Sequence, residues 1–425
     1  MTYLQALDYM YDRLPVFHLT GGSAYKPGLD NTIELLSALE NPHTQFKSVH
    51  IAGTNGKGSV SHFLAAIFQQ AGYSTGLYTS PHLVHFGERI RLNGQMIEED
   101  FVVNFIQQNQ PLTEKVQPSF FELTMAMAFD YFARKKVDIA IVETGLGGRL
   151  DSTNIITPEV SIITNIGMDH TEFLGNTLQK IAREKAGIIK QNVPVVIGES
   201  LPETKKVFEA KAAETSSPII FAEEKYPVEL VRTDTTGLIF NFRDKTITAG
   251  LTGTYQLKNI SAVLAAVDQL RMLGYHLDDD AVSSGIAQVC VLTGLRGRWE
   301  QLAINPVIIA DTGHNVQGIT AVVQQLSHCN ARNVRIIIGM VNDKDIDGVL
   351  ALLPLNAVYY FTNAQVKRAL PATDLRMKAS GIGLYGNSYP TVEKALAATR
   401  NKSFPDDLIL ITGSNFVVGE ALTII

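Results

Sequence analysis

The run Val49-His50-Ile51-Ala52-Gly53-Thr54-Asn55-Gly56-Lys57-Gly58-Ser59 decides the fold. Val49–Gly53 reads as a strand and its exit, and Ser59–Ala71 as a helix. A strand, a glycine-rich turn and a helix opening are the context a phosphate-binding loop requires. Glycines let the backbone bend until successive N–H groups point inward at phosphate oxygens. The helix start adds unpaired N–H groups and a positive dipole end. Lys57 can reach β- and γ-phosphates, and Ser59 can bind Mg²⁺ or a phosphate oxygen. The run is not a strict Walker sequence: Ile51 stands where that pattern wants its first glycine, and Gly58 separates the lysine from the serine. A glycine turn with no ligand is the bland alternative. Lysine and serine placed where phosphate chemistry needs them argue against it.

Working outward, strand-like apolar runs alternate with helix-like segments. Val137–Glu143 ends in a glycine-rich turn, and Val160–Thr164 is followed by a helical stretch over Thr177–Gly187. This rhythm predicts an α/β domain, a P-loop NTPase-like mainly parallel sheet covered by helices. After Pro118, residues Phe121, Met125, Phe129 and Phe132 repeat at helical spacing, which predicts one core-facing stripe. Between Pro218 and Leu251 the runs VELVRT, GLIFNF and KTITAG predict a small antiparallel β region. A helix from Gln256 to Leu273 restores the α/β style. A second, Rossmann-like α/β rhythm starts near Trp299, with strands at Val307–Asp311, Val334–Gly339, Ala357–Thr362 and Leu408–Thr412. The polar segment Thr293–Arg298 reads as a linker. Two domains follow, residues 1–295 with the P-loop and residues 296–425. Neither half shows a short repeat, which excludes a solenoid.

Composition agrees. A chain of 425 residues is too long for one ordinary core. Hydrophobic residues at 45% and charged residues at 18% fit a soluble globular protein. Lys and Arg number 36 against 42 Asp and Glu, a net charge of −6, so nothing suggests a nucleic-acid partner. Cys290 and Cys329 lack metal-ligand spacing and cannot build a disulfide framework, which fits a reducing cytoplasm. The N-terminus is not a signal peptide, and no run reaches the roughly 18 apolar residues of a membrane span.

Further polar motifs follow the P-loop in order. They are Tyr78-Thr79-Ser80-Pro81-His82; Glu143–Arg149 with Asp151, Thr153 and Asn154; Asp169-His170 with Leu174-Gly175; and Glu184-Lys185-Ala186-Gly187-Ile188. Tyr255-Gln256 with Asn259, Gly297-Arg298, Asp311 with His314-Asn315, Asp343-Lys344-Asp345 and Thr412-Gly413-Ser414 complete the series. In this order, over roughly residues 45 to 415, the chain resembles the folylpolyglutamate synthase/dihydrofolate synthase family of the Mur ligase superfamily. Thr312-Gly313 departs from the Gly-Ala usual before the family's His-Asn pair, which puts the local backbone in question. By this resemblance residues 1–295 are the ATP-binding central domain and 296–425 the glutamate-ligase domain.

Residue chemistry and the resemblance together assign roles. Glu143 and His170 follow strand candidates at the edge where ligands of open α/β sheets gather. A carboxylate there can hold Mg²⁺ against phosphates. The resemblance implies that Ser80, Glu143 and His170 serve two Mg²⁺ sites, and that Gly53, Thr54, Asn55, Gly56, Lys57, Gly58, Ser59, Asn259, Arg298 and Asp311 hold the nucleotide. Lys185 alone reads as a helix-surface lysine; the resemblance implies carbamylation by CO₂, giving an anion that can help hold Mg²⁺. Gly145–Asn154 becomes a loop near the folate and phosphate sites. Pro81, His82 and Ser414 become substrate-side residues, and His314 a group assisting or positioning the incoming amine. Without the resemblance, Asp311 reads as a strand-end cap, Arg298 as a linker charge and His314 as a turn histidine. Asp343–Asp345 reads as a solvated loop. The expected enzyme is a cytoplasmic, monomeric ATP-dependent amide ligase. It would act on ATP, a folate or dihydropteroate, and L-glutamate, with no nucleic acid or membrane partner. The first expectation is a folylpolyglutamate synthase; a dihydrofolate synthase or a bifunctional enzyme is the nearest rival, and a cell-wall Mur ligase and a P-loop nucleotide switch are the others.

Overall fold

The strand leading into the glycine loop, β1 (Lys47–Ala52), is buried along all but its first residue. That is the signature of a central strand covered on both faces. In the computed structural model, which describes residues 1–16, 28–234 and 237–425, β1 pairs in parallel with β5 (Ile139–Glu143) and β6 (Val160–Ile163). Among the described residues the sheet has eight strands. With β2 (Thr75–Tyr78), β3 (Ile90–Leu92), β4 (Gln95–Met96), β7 (Val195–Ile197) and β8 (Ile219–Phe221), its order is β4-β3-β2-β5-β1-β6-β7-β8. All neighbours are parallel except β2–β3 and β3–β4. The mainly parallel P-loop sheet is therefore as expected.

The small antiparallel region forms from the three expected runs. It consists of β9 (Glu229–Asp234), β10 (Gly237–Phe242) and β11 (Lys245–Ala249), whereas Ile219–Phe221 adds a parallel edge to the large sheet. Three apolar residues after Pro218 carry no alternation, so only the long-range pairing with β7 reveals their place.

The helix Lys57–Gln70 buries Val60, Phe63, Leu64, Ile67 and Phe68. The helix Phe120–Lys135 starts at a capping box: Glu122 N donates to Ser119 Oγ and Ser119 N to the Glu122 carboxylate. Met125, Phe129 and Phe132 of its predicted stripe are fully buried. Phe121 packs at the margin of the same core. It is only half-buried, and its ring lies against Gly145, where an added Cβ would meet Cζ at 2.6 Å.

The described chain forms two compact units. The first takes Met1–Gly167, Thr171–Gly250 and Gln256–Leu295; the second takes Met168–His170, Leu251–Tyr255 and Arg296–Ile425. The second unit is built on β12 (Glu300–Ile304), β13 (Val307–Ala310), β14 (Val334–Ile338), β15 (Val358–Phe361), β16 (Gly386–Ser388) and β17 (Leu408–Thr412). Their order is β12-β13-β17-β14-β15-β16, and β12 is the antiparallel edge. Its other pairs are parallel, as in a Rossmann-like sheet. Ile309, Ile336, Ile338 and Leu410 pack on one face, and Ile308, Ile337, Ile409 and Ile411 on the other. No helix among the described residues is long and apolar enough to cross a membrane.

Candidate active site

In the first unit the chain leaves β1 through Gly53 and enters the helix through Gly56, both at positive φ. Both glycines are also required by crowding. A Cβ on Gly53 would meet Thr164 Oγ1 at 1.8 Å, and one on Gly56 would meet Asn259 Oδ1 at 2.2 Å. The loop is held from the next strand's exit: Thr54 N donates to Asn165 O at 3.0 Å and Asn55 N to Asn165 Oδ1 at 2.9 Å. Gly167 N donates to Thr54 Oγ1 at 2.9 Å. Ser59 is buried and accepts from Gln256 Nε2 at 3.2 Å, while Asn259 Nδ2 donates to Gln256 Oε1 at 2.7 Å. Asn259 thus reaches the P-loop, although 202 residues of sequence separate it from Lys57.

Two lysines converge on one carbonyl. Lys57 Nζ donates to Gly53 O at 3.2 Å, and Lys185 Nζ donates to the same oxygen at 2.7 Å. Glu143, at the end of β5, places Oε1 4.0 Å from Lys57 Nζ and is buried. Lys185 is only 4% exposed, so its reading as a surface lysine is corrected. Its helix turns that position inward, beneath the loop. Neighbouring Glu184 instead reaches Arg149, with Arg149 Nη2 at 2.9 Å.

The glycine-rich stretch after Glu143 is pinned by Asp151. Its carboxylate accepts from Leu146 N at 2.8 Å and Thr153 N at 3.0 Å. Asn154 Nδ2 donates to Arg149 O and Gly187 O, which seats the stretch on the Lys185 helix. On the other side of β5, Ser80 precedes the cis Pro81. His82 Nδ1 accepts from Arg89 Nε at 2.7 Å, and the Glu88 carboxylate accepts from the N–H groups of Leu83, Val84 and His85. Ser80, Pro81 and His82 therefore lie on a turn tied down by Arg89 and Glu88.

The second unit gathers its own predicted residues at the exits of β13, β14 and β17. Asp311 is buried and accepts from Tyr255 Oη at 2.5 Å, Trp299 N at 2.8 Å and Gly313 N at 2.8 Å. Burial raises its pKa, and the Tyr255 and backbone donors work against that rise. Arg298 Nη1 donates to Thr312 Oγ1 and Gly297 O. Thr312 thus has a hydrogen-bonding use where the family pattern has glycine. Ser414 caps the helix Asn415–Ile424 by accepting from Phe416 N at 3.1 Å.

Asp169 is the hub of this group. Its carboxylate accepts from Lys344 Nζ at 2.5 Å and Asn315 Nδ2 at 3.1 Å, and faces His314 Nε2 at 3.6 Å. His314 Nδ1 lies 2.9 Å from Thr312 O; a carbonyl only accepts, so Nδ1 carries the proton. Burial works to raise the Asp169 pKa, but the hydrogen bond from His314 and the charges of His170 and Lys344 outweigh it and hold the carboxyl far below its ordinary range. His170 has positive φ and places Nε2 3.4 Å from Lys344 Nζ. The structure thus groups His170 with Lys344 and Asp169 in the second unit, whereas Ser80 and Glu143 lie in the first. Lys344 was missed as a solvated-loop residue; its side chain is 7% exposed. A lysine between two aspartates looks like surface charge until the fold brings Asp169 to it.

Residues 51–267 match the Mur ligase middle domain, and residues 297–415 match the Mur ligase, glutamate ligase domain. Over 419 residues the chain is 33% identical to the dihydrofolate synthase/folylpolyglutamate synthase of Bacillus subtilis, covering 93% of this chain and 94% of that protein. The chain belongs to the folylpolyglutamate synthase/dihydrofolate synthase family of the Mur ligases. As a member it is an ATP-dependent acid–amino-acid ligase. Among solved relatives, Mycobacterium tuberculosis folylpolyglutamate synthase complexed with ADP superposes with a TM-score of 0.88 at 30% identity, over 99% of this chain and 98% of that one. The bifunctional Yersinia pestis enzyme complexed with AMPPNP and Mn ion gives a TM-score of 0.82 at 27% identity, over 100% and 98%.

Proposed function

We propose that this ligase adds L-glutamate to the terminal carboxylate of a reduced folate, with ATP converting that carboxylate into an acyl phosphate. The observation that carries the reading is the convergence of Lys57 and Lys185 on Gly53 O beside the buried Glu143. Two cations and a carboxylate at a glycine loop suit a polyphosphate and its counter-ion.

The residues fit a divalent metal. The Glu143 carboxylate and the hydroxyls of Ser59 and Ser80 are hard oxygen donors, and Mg²⁺ commonly takes only one or two protein ligands beside phosphates and water. Glu143 and Ser80 would hold it, with His170 as donor to a second ion. Such an ion supplies charge neutralisation across the phosphates. The nucleotide would lie on Gly53–Ser59 with Asn259 against Gly56; Arg298 and Asp311 are nucleotide-side residues on this reading.

A carboxylate oxygen of the folate attacks the γ-phosphorus of ATP, and ADP leaves. Lys57 and the loop N–H groups stabilise the transferring phosphoryl group. The amine of glutamate then attacks the acyl carbon, and the C–O bond to phosphate breaks. The amine gives up a proton, which leaves on the released phosphate, and His314, held by Thr312 O, positions the amine. Water is kept from the acyl phosphate by closure around the substrates. Pro81, His82 and Ser414 are substrate-side residues on this reading. Carbamylation of Lys185 would place an anion beside Lys57, where an amine now sits.

The mechanism is tested with folate labelled with ¹⁸O in its terminal carboxylate. One labelled oxygen should appear in the released phosphate. Unlabelled phosphate alongside amide product would rule out the acyl phosphate. The Bacillus subtilis relative carries both activities in its name, which favours dihydropteroate as a second acceptor. The enzyme acts on this reading as a cytoplasmic monomer.

A further inference from the structure

His50 lies on β1, three residues ahead of Gly53, and is completely buried. Its Nε2 is 2.8 Å from Thr153 Oγ1, and that hydroxyl is 2.5 Å from Asp151 Oδ1. A hydroxyl has one proton, and an ionised carboxylate can only accept. The Thr153 proton therefore goes to Asp151, and the Thr153 oxygen accepts from His50 Nε2–H. This fixes the tautomer and leaves Nδ1 as the bare nitrogen. Among the described residues Nδ1 indeed has no hydrogen-bond partner. Burial pushes the imidazole pKa down to about 3, and the nearby Lys190 charge acts in the same direction, so the ring is neutral at physiological pH.

The chain of bonds continues. Asp151 holds Leu146 N and Thr153 N, one near each end of the glycine-rich stretch. Burial raises the Asp151 pKa, and the Thr153 hydroxyl and backbone donors oppose that rise. Lys190 Nζ donates to Asn154 O at 2.7 Å, which closes the far end. A run with glycines at 145, 147 and 148 has few side chains of its own to define it beyond Leu146, which packs against the core around Ile181 and Ile188. Its conformation depends on these polar ties.

We propose that His50 is a positioning residue whose Nε2–H donor, through Thr153 and Asp151, registers the loop Gly145–Asn154 to the strand that carries the P-loop. It touches no reacting group. Its effect on turnover runs through the loop, and that kinetic part rests on the folate reading above. The effect on loop order does not.

The test compares His50→Gln, whose amide Nε2 can supply the same donor, with His50→Phe, which keeps a ring and removes the donor. Amide hydrogen exchange of the full chain gives the first readout. Peptides covering 145–154 should exchange at least about fivefold faster in the Phe variant, the change that losing one net hydrogen bond makes. They should exchange at the wild-type rate in the Gln variant, with peptides across Gly53–Ser59 unchanged in both. Steady-state kinetics give the second. His50→Phe should raise KM for the folate acceptor severalfold with KM for ATP within about twofold, and His50→Gln should restore it. Thr153→Val and Thr153→Ser repeat the contrast at the middle of the chain if the Phe variant does not fold. A Gln variant as impaired as Phe, or a Phe variant with wild-type exchange over 145–154, would overturn the proposal. A wild-type enzyme without folate-dependent turnover, but with the exchange contrast intact, would break the folate reading and leave the positioning role standing.

Discussion

On the proposed reading, Lys57 and Glu143 carry the most chemistry per residue. Lys57→Ala should lower kcat by about 10²–10³, the usual effect of removing one preorganised donor from a developing charge. Nucleotide affinity should fall less than kcat, which equilibrium binding beside turnover would check. Glu143→Ala should lose activity that raised Mg²⁺ partly restores; unchanged metal dependence would remove Glu143 from the metal site. Lys344 makes a structural prediction. Replacing it with Met leaves the Asp169 carboxylate without its closest cation in a site where both side chains are under a tenth exposed. The cost should be about 3 kcal/mol, the low end for breaking a buried pair, because Asn315 and the His170 N–H remain. Denaturant unfolding would read it. At this scale glycines, lysines and carboxylates were legible in sequence because each stood in a recognisable run. Burial was not. Lys185 reads as surface charge because nothing within its helix shows that the P-loop lies over it, and Lys344 hides between two aspartates for the same reason. His50 carries no motif at all; only its contacts mark it.

At the scale of elements, strand–turn–helix units were legible because period and punctuation are local. β1, the P-loop and the helix after it follow from one short run. β8 was not read as a strand, because three apolar residues cannot say which sheet they join. Phe121 kept its helical spacing and packs at the margin of the core, with its ring also against Gly145 on another element. The P-loop itself yields a prediction. Gly56→Ala would put a Cβ at 2.2 Å from Asn259 Oδ1 on a residue with φ of 84°. The left-handed backbone alone costs about 1–2 kcal/mol. Nucleotide affinity should fall because either Asn259 or the loop must move. Thermal shift with and without ATP would show a lower melting temperature and a reduced nucleotide-induced gain.

At the scale of the whole molecule, stability across pH offers a check on the second unit. Asp407 is buried and accepts from Arg335 Nε at 2.7 Å, Asn333 Nδ2 at 2.7 Å and Phe404 N at 3.1 Å, tying the start of β17 to β14. Burial works to raise its pKa, and these donors outweigh it, so the folded carboxyl titrates below the ordinary 3.8. As pH falls, the unfolded chain therefore takes up this proton before the folded one. The stabilisation is full above about pH 4 and is lost as pH falls through the folded pKa. Urea unfolding of wild type and Asp407→Asn should show their largest difference at neutral pH and a smaller one near pH 3. An unchanged gap would contradict the sign. The order of motifs along the chain made the family legible, whereas the grouping of Met168–His170 with the second unit was not, since it depends on contacts from Asn315 and Lys344.

The central claim is tested most directly by phosphate release from ATP in the presence of L-glutamate, with a reduced folate monoglutamate and dihydropteroate supplied separately and products identified by mass. The account predicts glutamate-dependent phosphate release with the folate and a product heavier by one glutamyl residue; the same gain on dihydropteroate would make the enzyme bifunctional. Phosphate release with neither acceptor, or release that glutamate does not stimulate, would contradict it.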